Sequence, residues 1–361
     1  MKRFARCFSD LPDPRAPNTR HDLTEILFIA LLATLSGAET CSDMAQFARS
    51  RKALLRTVLT LEHGAPSHDT FSRVFRLLDP DAFEKAFRRF MKTFGKTAKI
   101  KGVVALDGKS LRRAYERGKS HMPPLMVTAW SAQTRMALAN QLAPNNNEAA
   151  AALQLVNLLC LDNCVVTADA LHCRQDLAKR IVKRGGDYVL AVKDNQPGLL
   201  ADAKAAIAAL RGRVDPAASR EAGHGRKEAR TAIVAPAPGL AAKHGFAGLA
   251  AVARIRSRRG SEKIVERHFL LTKCFKPHEV LRIVRAHWGI ENQLHWTLDV
   301  VFDEDLARSR KDNAPANLAV LRRLALNIAR AHPDAKTSMR LKLKRAAWDE
   351  TFLLDLLGHM Q

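Results

Sequence analysis

Val103-Val104-Ala105-Leu106-Asp107 is an apolar run that ends in a carboxylate, and Cys164-Val165-Val166-Thr167-Ala168-Asp169 repeats the arrangement further along the chain. Short apolar runs rich in β-branched residues read as buried strands, so each acid is expected at a strand end. A third acid, Glu291, lies in His287-Trp288-Gly289-Ile290-Glu291-Asn292, inside a stretch that reads as helix. Two strand-end carboxylates and a third on a later helix suit a hard divalent cation, which takes several oxygen ligands. Each acid also has a plainer reading. Asp107-Gly108-Lys109-Ser110 alone is a strand-end turn, Asp169 is a favoured helix N-cap residue, and Glu291 is one charge on a helix face.

The surroundings of these runs define the fold class. Strands are expected at 102–107, 125–131, 136–142, 164–169 and 187–193, with helices at about 147–160 and 174–184. Long apolar strands separated by helices indicate an α/β layer with some parallel pairing. Residues 1–98 read as helical instead. Asp22 or Thr24 caps a helix that ends at Gly37, and Ser42 starts another. Ser67-His68-Asp69 caps a segment with Phe71, Val74, Phe75 and Leu78 at helical spacing, and Phe83, Phe87, Phe90 and Phe94 form a core stripe on the next. The change of texture at Lys99 separates this helical N-terminal domain from a domain spanning 99–361.

Within the larger domain, 197–273 reads as an insertion. Its first part is one helix followed by less regular chain that has room for strands, with Gly223-His224-Gly225-Arg226-Lys227 as an exposed loop. Strands return at 249–257 and 264–272 across the turn Arg258-Arg259-Gly260-Ser261. From Pro277 onward (about 277–361) the chain is helical, through Glu291 to about Leu298 and again over 314–331 and 349–358. The basic run Arg340-Leu341-Lys342-Leu343-Lys344-Arg345 between the last two helices is either a phosphate-tracking segment or a solvated face.

Charge narrows the partner. The 361 residues carry 59 Lys+Arg against 36 Asp+Glu, a formal net charge of +23. Such a field draws in phosphate backbones, so a small acidic cluster inside it indicates metal-dependent chemistry on a polyanion, with nucleic acid leading. Six cysteines show no CxxC pair, and Cys160, Cys164, His172 and Cys173 match no structural-zinc spacing. Buried thiols and a reducing cytoplasm are expected. The apolar run Ile26–Leu35 is about half of what a membrane span needs, so it is a core helix and no membrane partner is expected.

Around the third acid, His287, Glu291, His295 and Asp299 recur at i, i+4, i+8 and i+12 and share one face of an α-helix, flanked by Trp288 and Trp296. HExxH is absent, which removes a zinc-hydrolase reading. His295 and Asp299 are candidates for orienting Glu291, with a structural salt bridge as the plainer role for Asp299.

At this point the chain resembles a known family. Leu106-Asp107-Gly108-Lys109-Ser110-Leu111-Arg112, Thr167-Ala168-Asp169-Ala170-Leu171-His172-Cys173, Gly185-Gly186-Asp187-Tyr188 and Lys193-Asp194-Asn195-Gln196 are similar to segments of DDE transposases of bacterial insertion sequences. His287–Trp296, Leu298-Asp299-Val300 and Glu304-Asp305 continue the match, and Phe8-Ser9-Asp10-Leu11-Pro12-Asp13-Pro14-Arg15 resembles the leader of the H-repeat-associated subgroup.

The resemblance implies an RNase H-like core in which Asp107, Asp169 and Glu291 hold two Mg²⁺ (or Mn²⁺) ions. It implies strand cleavage and strand transfer on double-stranded DNA, namely the inverted-repeat ends of an element and its target, by a homodimer or larger assembly acting in a bacterial cytoplasm on the nucleoid. Related groups carry Tyr, Arg and Lys around the last acid, where this chain has Val284, His287 and Leu298. Lys109, Arg112, Lys193 and Gln196 flank the site in sequence as candidate DNA contacts. Arg73 and Arg76 would be exposed on a recognition helix at 67–78, whose other reading is a packing or dimerisation helix. Two further functions fit the same acids: a structure-specific metal-dependent nuclease, and a transposase-derived DNA-binding protein without catalysis.

Overall fold

The computed structural model describes residues 2–93, 100–114, 122–210, 212, 216–223 and 226–358. The acid-bearing run becomes β1 (Gly102–Ser110), the third strand of a nine-stranded mixed sheet. β2 (Leu125–Ser131) and β3 (Met136–Leu142) continue antiparallel to one edge. On the other side β4 (Cys164–Ala168) and β5 (Asp187–Val192) run parallel to β1. This antiparallel meander passing into parallel strands is the α/β arrangement expected of an RNase H-like core.

The sheet then extends through the inserted segment in the order β9 (Val265–Leu271), β8 (Ala251–Arg259), β7 (Arg226–Pro236) and β6 (Ala217–Gly223), all antiparallel. After the expected helix, the less regular chain with room for strands proves to be the strand pair β6–β7. Gly223 and Arg226 end the two strands of this hairpin, while His224 and Gly225, like Phe94 and Lys99, lie outside the described residues.

Helices cover both faces. α1 (Lys2–Phe8), α2 (Leu23–Leu35), α3 (Cys41–Ser50), α4 (Lys52–Arg56), α5 (His68–Leu77) and α6 (Pro80–Thr93) precede the sheet. α7 (Glu148–Asn157), α8 (Gln175–Lys183) and α9 (Pro197–Ala208) are interleaved with the strands, followed by α10 (Leu240–His244) within the insertion. α11 (Pro277–His287), α12 (Trp296–Val300), α13 (Ala314–Ala331), α14 (Met339–Trp348) and α15 (Glu350–Gly358) complete the chain. The Asp22 side chain caps α2 by accepting from Glu25 N at 2.8 Å. That helix is apolar all round and buried along its length, as a helix enclosed by others must be.

One apolar core joins α1–α6 to α13–α15 and to residues of β1–β3, including Ala105, Met126, Trp130 and Ala137. A second lies between α7–α9 and the opposite sheet face, and a third packs α11 on β5 and β7–β9. Side chains from the helical layer also satisfy the edge strand β3, whose free backbone groups would otherwise be open to another strand. Asn140 donates to the buried Glu84 carboxylate through its backbone N at 2.8 Å and its side chain at 3.1 Å. Asn327 of α13 accepts from Ala137 N at 3.0 Å and donates to its carbonyl at 2.8 Å.

The basic run at 340–345 is corrected by the structure. It lies in α14, and Lys342 is buried, donating to the Ala329 carbonyl at 2.9 Å near the C-terminus of α13, where backbone carbonyls lack partners. Arg340 donates to the Val300 carbonyl, and Arg345 lies over the Phe352 ring. Lys342 is thereby withdrawn from any phosphate track, while Arg340, Lys344 and Arg345 stay on the exposed side of α14.

Candidate active site

The register of β1 against β4 pairs Ala105 with Thr167. Two residues further on each strand, Asp107 and Asp169 share a face with these paired residues, since residues i and i+2 project the same way. Asp169 lies just past the end of β4, but Asp107 is not at the expected strand end, because β1 runs on to Ser110 through its pairing with β2. Asp169 also does what a helix N-cap does, accepting from Leu171 N at 3.0 Å to start the turn Ala170–His172.

Glu291 reaches the same place by a different route. After α11 the chain makes a π-helical turn, Ile290–His295, before α12 resumes. Such turns widen a helix locally and are frequent at functional sites. Gly289 allows this segment to press onto β2: a Cβ there would lie 2.5 Å from the Trp130 ring.

The turn sets Glu291 and His295 side by side, with His295 Nδ1 3.2 Å from Glu291 Oε2 and 3.6 Å from Asp107 Oδ2. One ligand atom from each of Asp107, Glu291 and His295 lies within 4.8 Å of the others. His295 is buried, and its Nε2 has no hydrogen-bond partner.

The electrostatics follow from this crowding. Burial pushes the Asp107 carboxyl up to about 6, with the charges of Glu148, Glu291 and Asp169 adding to the rise and His295 opposing it. The hydrogen bond from His295 holds Glu291 below its ordinary value, with Lys109 and Arg112 contributing at longer range. Burial pulls His287 down to about 4, and its Nδ1 sits 3.0 Å from Thr167 Oγ1. A neutral imidazole cannot supply the charge of the arginine that related groups carry at this place.

The expected i, i+4, i+8, i+12 face is broken by the π turn, and its four members do different things. Asp299 does not reach Glu291; its Oδ1 is ion-paired at 2.6 Å with Lys109 Nζ. Burial raises the Asp299 carboxyl, against the pull of Lys109. Lys109 is only 7% exposed and also donates to Asp305 at 2.7 Å, so its ammonium faces acids rather than an incoming strand.

The remaining candidates divide by exposure. Arg112 is exposed, with Nε 3.2 Å from Asp305 Oδ2. Lys193 is exposed at the rim of the site. Gln196 donates its amide to the Cys173 carbonyl, tying down the loop after β5. Arg73 is exposed on α5, and Arg76 pairs with Asp312 at 2.7 Å. Neither arginine of α5 lines the cleft at the acids.

That cleft encloses about 250 Å³ between Asp107, Asp169 and Glu291 on one side and Lys193, Arg267, Phe269 and Trp288 on the other. The Arg267 guanidinium stands 5.7 Å from the centre of the Trp288 ring. Arg267 was not anticipated, because an arginine at an alternate position of an inserted strand carries no local signal. Glu148 was missed for the same reason. It opens α7, its Oε1 lies 3.0 Å from the buried His172 Nε2, and a Cβ on Gly108 would come within 2.3 Å of it. His172 is thus engaged by a carboxylate, and among the described residues no cysteine joins a metal-ligating cluster.

The donor set fits a hard divalent ion. Carboxylate oxygens dominate it, and the like charges that raise Asp107 are what a bound dication would neutralise.

Comparison with known proteins shows the family. Residues 98–328 match the family model "Transposase DDE domain", and residues 5–91 match the model "DDE_Tnp_1-associated". The chain is 30% identical over 372 residues to "H repeat-associated putative transposase YhhI" of Escherichia coli K12, covering 99% of this chain and 98% of that protein. It is 37% identical over 258 residues to "Uncharacterized protein in dhlA 3'region" of Xanthobacter autotrophicus, covering 70% and 87% respectively. Among solved structures, the piggyBac transposase synaptic complex with hairpin DNA superposes with a TM-score of 0.46 at 13% identity, covering 98% of this chain and 77% of that one.

Proposed function

This chain belongs to the DDE transposase family, and from that premise we propose that it cleaves and joins DNA strands at the ends of an insertion sequence. The observation that carries the reading is the meeting of Asp107 and Glu291 across His295, beside Asp169, in a cleft with a cationic rim. Asp107, Asp169 and Glu291 would hold two Mg²⁺ (or Mn²⁺) ions. When bound, such ions stabilise charge on attacking and leaving oxygens and lower the pKa of a coordinated water.

The protein's own groups do the rest. His295 keeps Glu291 ionised and orients it toward Asp107. Lys193 and Arg267 set cations where a phosphate backbone would enter, and the net charge of +23 draws DNA in. Positioning and charge neutralisation supply most of the rate in phosphoryl transfer. Thr167 and neutral His287 pack against each other next to Asp169 and fix that strand end. In the same reading α1–α6 engage the element's terminal inverted repeats, and the chain acts as a dimer or larger assembly on DNA in the bacterial cytoplasm. Among the described residues no helix is long and apolar enough to cross a membrane.

The test uses the full chain with Mg²⁺ and duplexes ending in the inverted repeats that flank its gene. Cut ends that become joined to a second duplex are expected, and Asp107→Asn should abolish both steps while leaving DNA binding nearly intact. Cutting without joining would replace this reading with that of a nuclease, and binding without cutting with that of an idle DNA-binding protein.

A further inference from the structure

We propose that Lys109 is a positioning residue whose buried ammonium locks the segment carrying Glu291 onto the strand carrying Asp107. This rests on the function proposed above and concerns how the site keeps its shape.

Asp107 and Lys109 are i and i+2 on β1 and therefore project from the same face. Asp299 lies on α12, directly after the π turn that holds Glu291. The ammonium of Lys109 sits 2.6 Å from Asp299 and 2.7 Å from Asp305, joining strand to helix beside the acids. The second oxygen of Asp305 faces Arg112 Nε at 3.2 Å. Next to it, Glu304 is buried with Arg323, Oε1 to Nη1 2.8 Å, and Arg323 Nε reaches Thr128 Oγ1 at 3.3 Å. Thr128 is the residue opposite Asp107 in the β1–β2 register. These contacts thus run from α12, the helix that follows the π turn of Glu291, to Thr128, the residue opposite Asp107 in the β1–β2 register.

A DNA-contacting role would require Lys109 to leave two carboxylates, of which only Asp305 keeps another cation, Arg112. Buried ion pairs add little net stability but hold one geometry, and losing one partner is costly. A π turn between α11 and α12 has more freedom than a regular helix, so a clamp just beyond it bears directly on where Glu291 sits.

The test measures Mn²⁺ binding by the full-length protein, without DNA, from the electron paramagnetic resonance signal of free Mn²⁺. Lys109→Met should weaken binding at least tenfold, in the range seen when groups supporting a metal ligand are removed. Cleavage by the variant should recover at raised Mn²⁺, so that the metal requirement changes more than the maximal rate. Asp299→Asn, which leaves Lys109 its Asp305 partner, should shift the affinity in the same direction by less, and it decides the matter if Lys109→Met does not fold. Affinity unchanged in both variants overturns the clamp. An Asp107→Asn control reports on the metal assignment separately: if that variant binds Mn²⁺ like the parent, the proposed function loses its metal site whatever Lys109 does.

Discussion

His295 Nδ1 lies 3.6 Å from the Asp107 carboxylate although one residue comes from β1 and the other from the π turn far along the chain. The same nitrogen is 3.2 Å from Glu291. One imidazole therefore sets the spacing of two acids that belong to a strand and a helix. Replacing it with alanine removes the hydrogen bond that holds Glu291 ionised and the group that opposes protonation of Asp107. His295→Ala should lower metal affinity by roughly 10–100-fold. Its cleavage rate should titrate at a higher pH than the parent's. An unchanged Mg²⁺ requirement would place His295 outside the site's chemistry.

Burial of Asp107 has a consequence for stability. Its folded value of about 6 stands above the 3.8 of an unperturbed aspartate, so the folded state binds more protons between those values. Stability should fall as pH rises through that window and stay lower above it. Asp107→Asn should be more stable than the parent at pH 7 by on the order of 1–3 kcal/mol, and equal to it near pH 3. Denaturant melts at the two pH values provide the comparison.

Glu84 carries the same sign at a different place. Burial lifts it to about 8, against the pull of its bonds from Asn140. Between pH 4.5 and 8 its ionisation should cost stability as pH rises. Glu84→Gln should flatten that slope while retaining an acceptor for the edge strand. If parent and variant lose stability in parallel from pH 5 to 8, the Glu84 carboxyl is already ionised in the fold.

Gly289→Ala would drive a methyl to 2.5 Å from the ring of Trp130, a buried and rigid neighbour. The π turn must then move away from β2, taking Glu291 with it. A loss of roughly 1–3 kcal/mol is expected from overpacking of this kind, together with weaker Mn²⁺ binding. Wild-type melting and metal affinity would show that the turn can shift freely.

Lys193 and Lys109 should separate cleanly in DNA binding. Lys193 is exposed on the cleft rim, so Lys193→Ala should reduce the salt dependence of DNA affinity by about one counterion. Lys109→Met, its charge already neutralised by Asp299 and Asp305, should leave that slope unchanged. Equal slopes for Lys193→Ala and the parent would take Lys193 off the DNA path.

Much of the architecture was legible because it rests on local periodicity. β2 and β3 fall where their alternating or continuous apolar runs put them, and α13 follows its apolar stripe. The strand pair β6–β7 was legible only as irregular chain with room for strands, because neither segment alternates apolar and polar residues cleanly. α14 was hidden by the charge of its own lysines and arginines, one of which the fold buries at a helix end.

The three acids of the candidate site were singled out by their local settings and by the resemblance, and the structure sets them in one cleft, with His295 as the close companion of Asp107 and Glu291. The rest of their surroundings could not be read from the sequence. The π turn replaces a regular helical period, keeps Glu291 and His295 together and sends His287 and Asp299 to other partners, Thr167 and Lys109. Lys109, which lies next to the acid in sequence and reads as a DNA contact, is buried against Asp299 and Asp305, some 190 residues away along the chain. Glu148 and Arg267 arrive from a helix start and an inserted strand. Sequence determines which side chains a strand or helix presents to one face. Which charges meet across that face depends on sheet register and helix packing, long-range relations that no local pattern encodes.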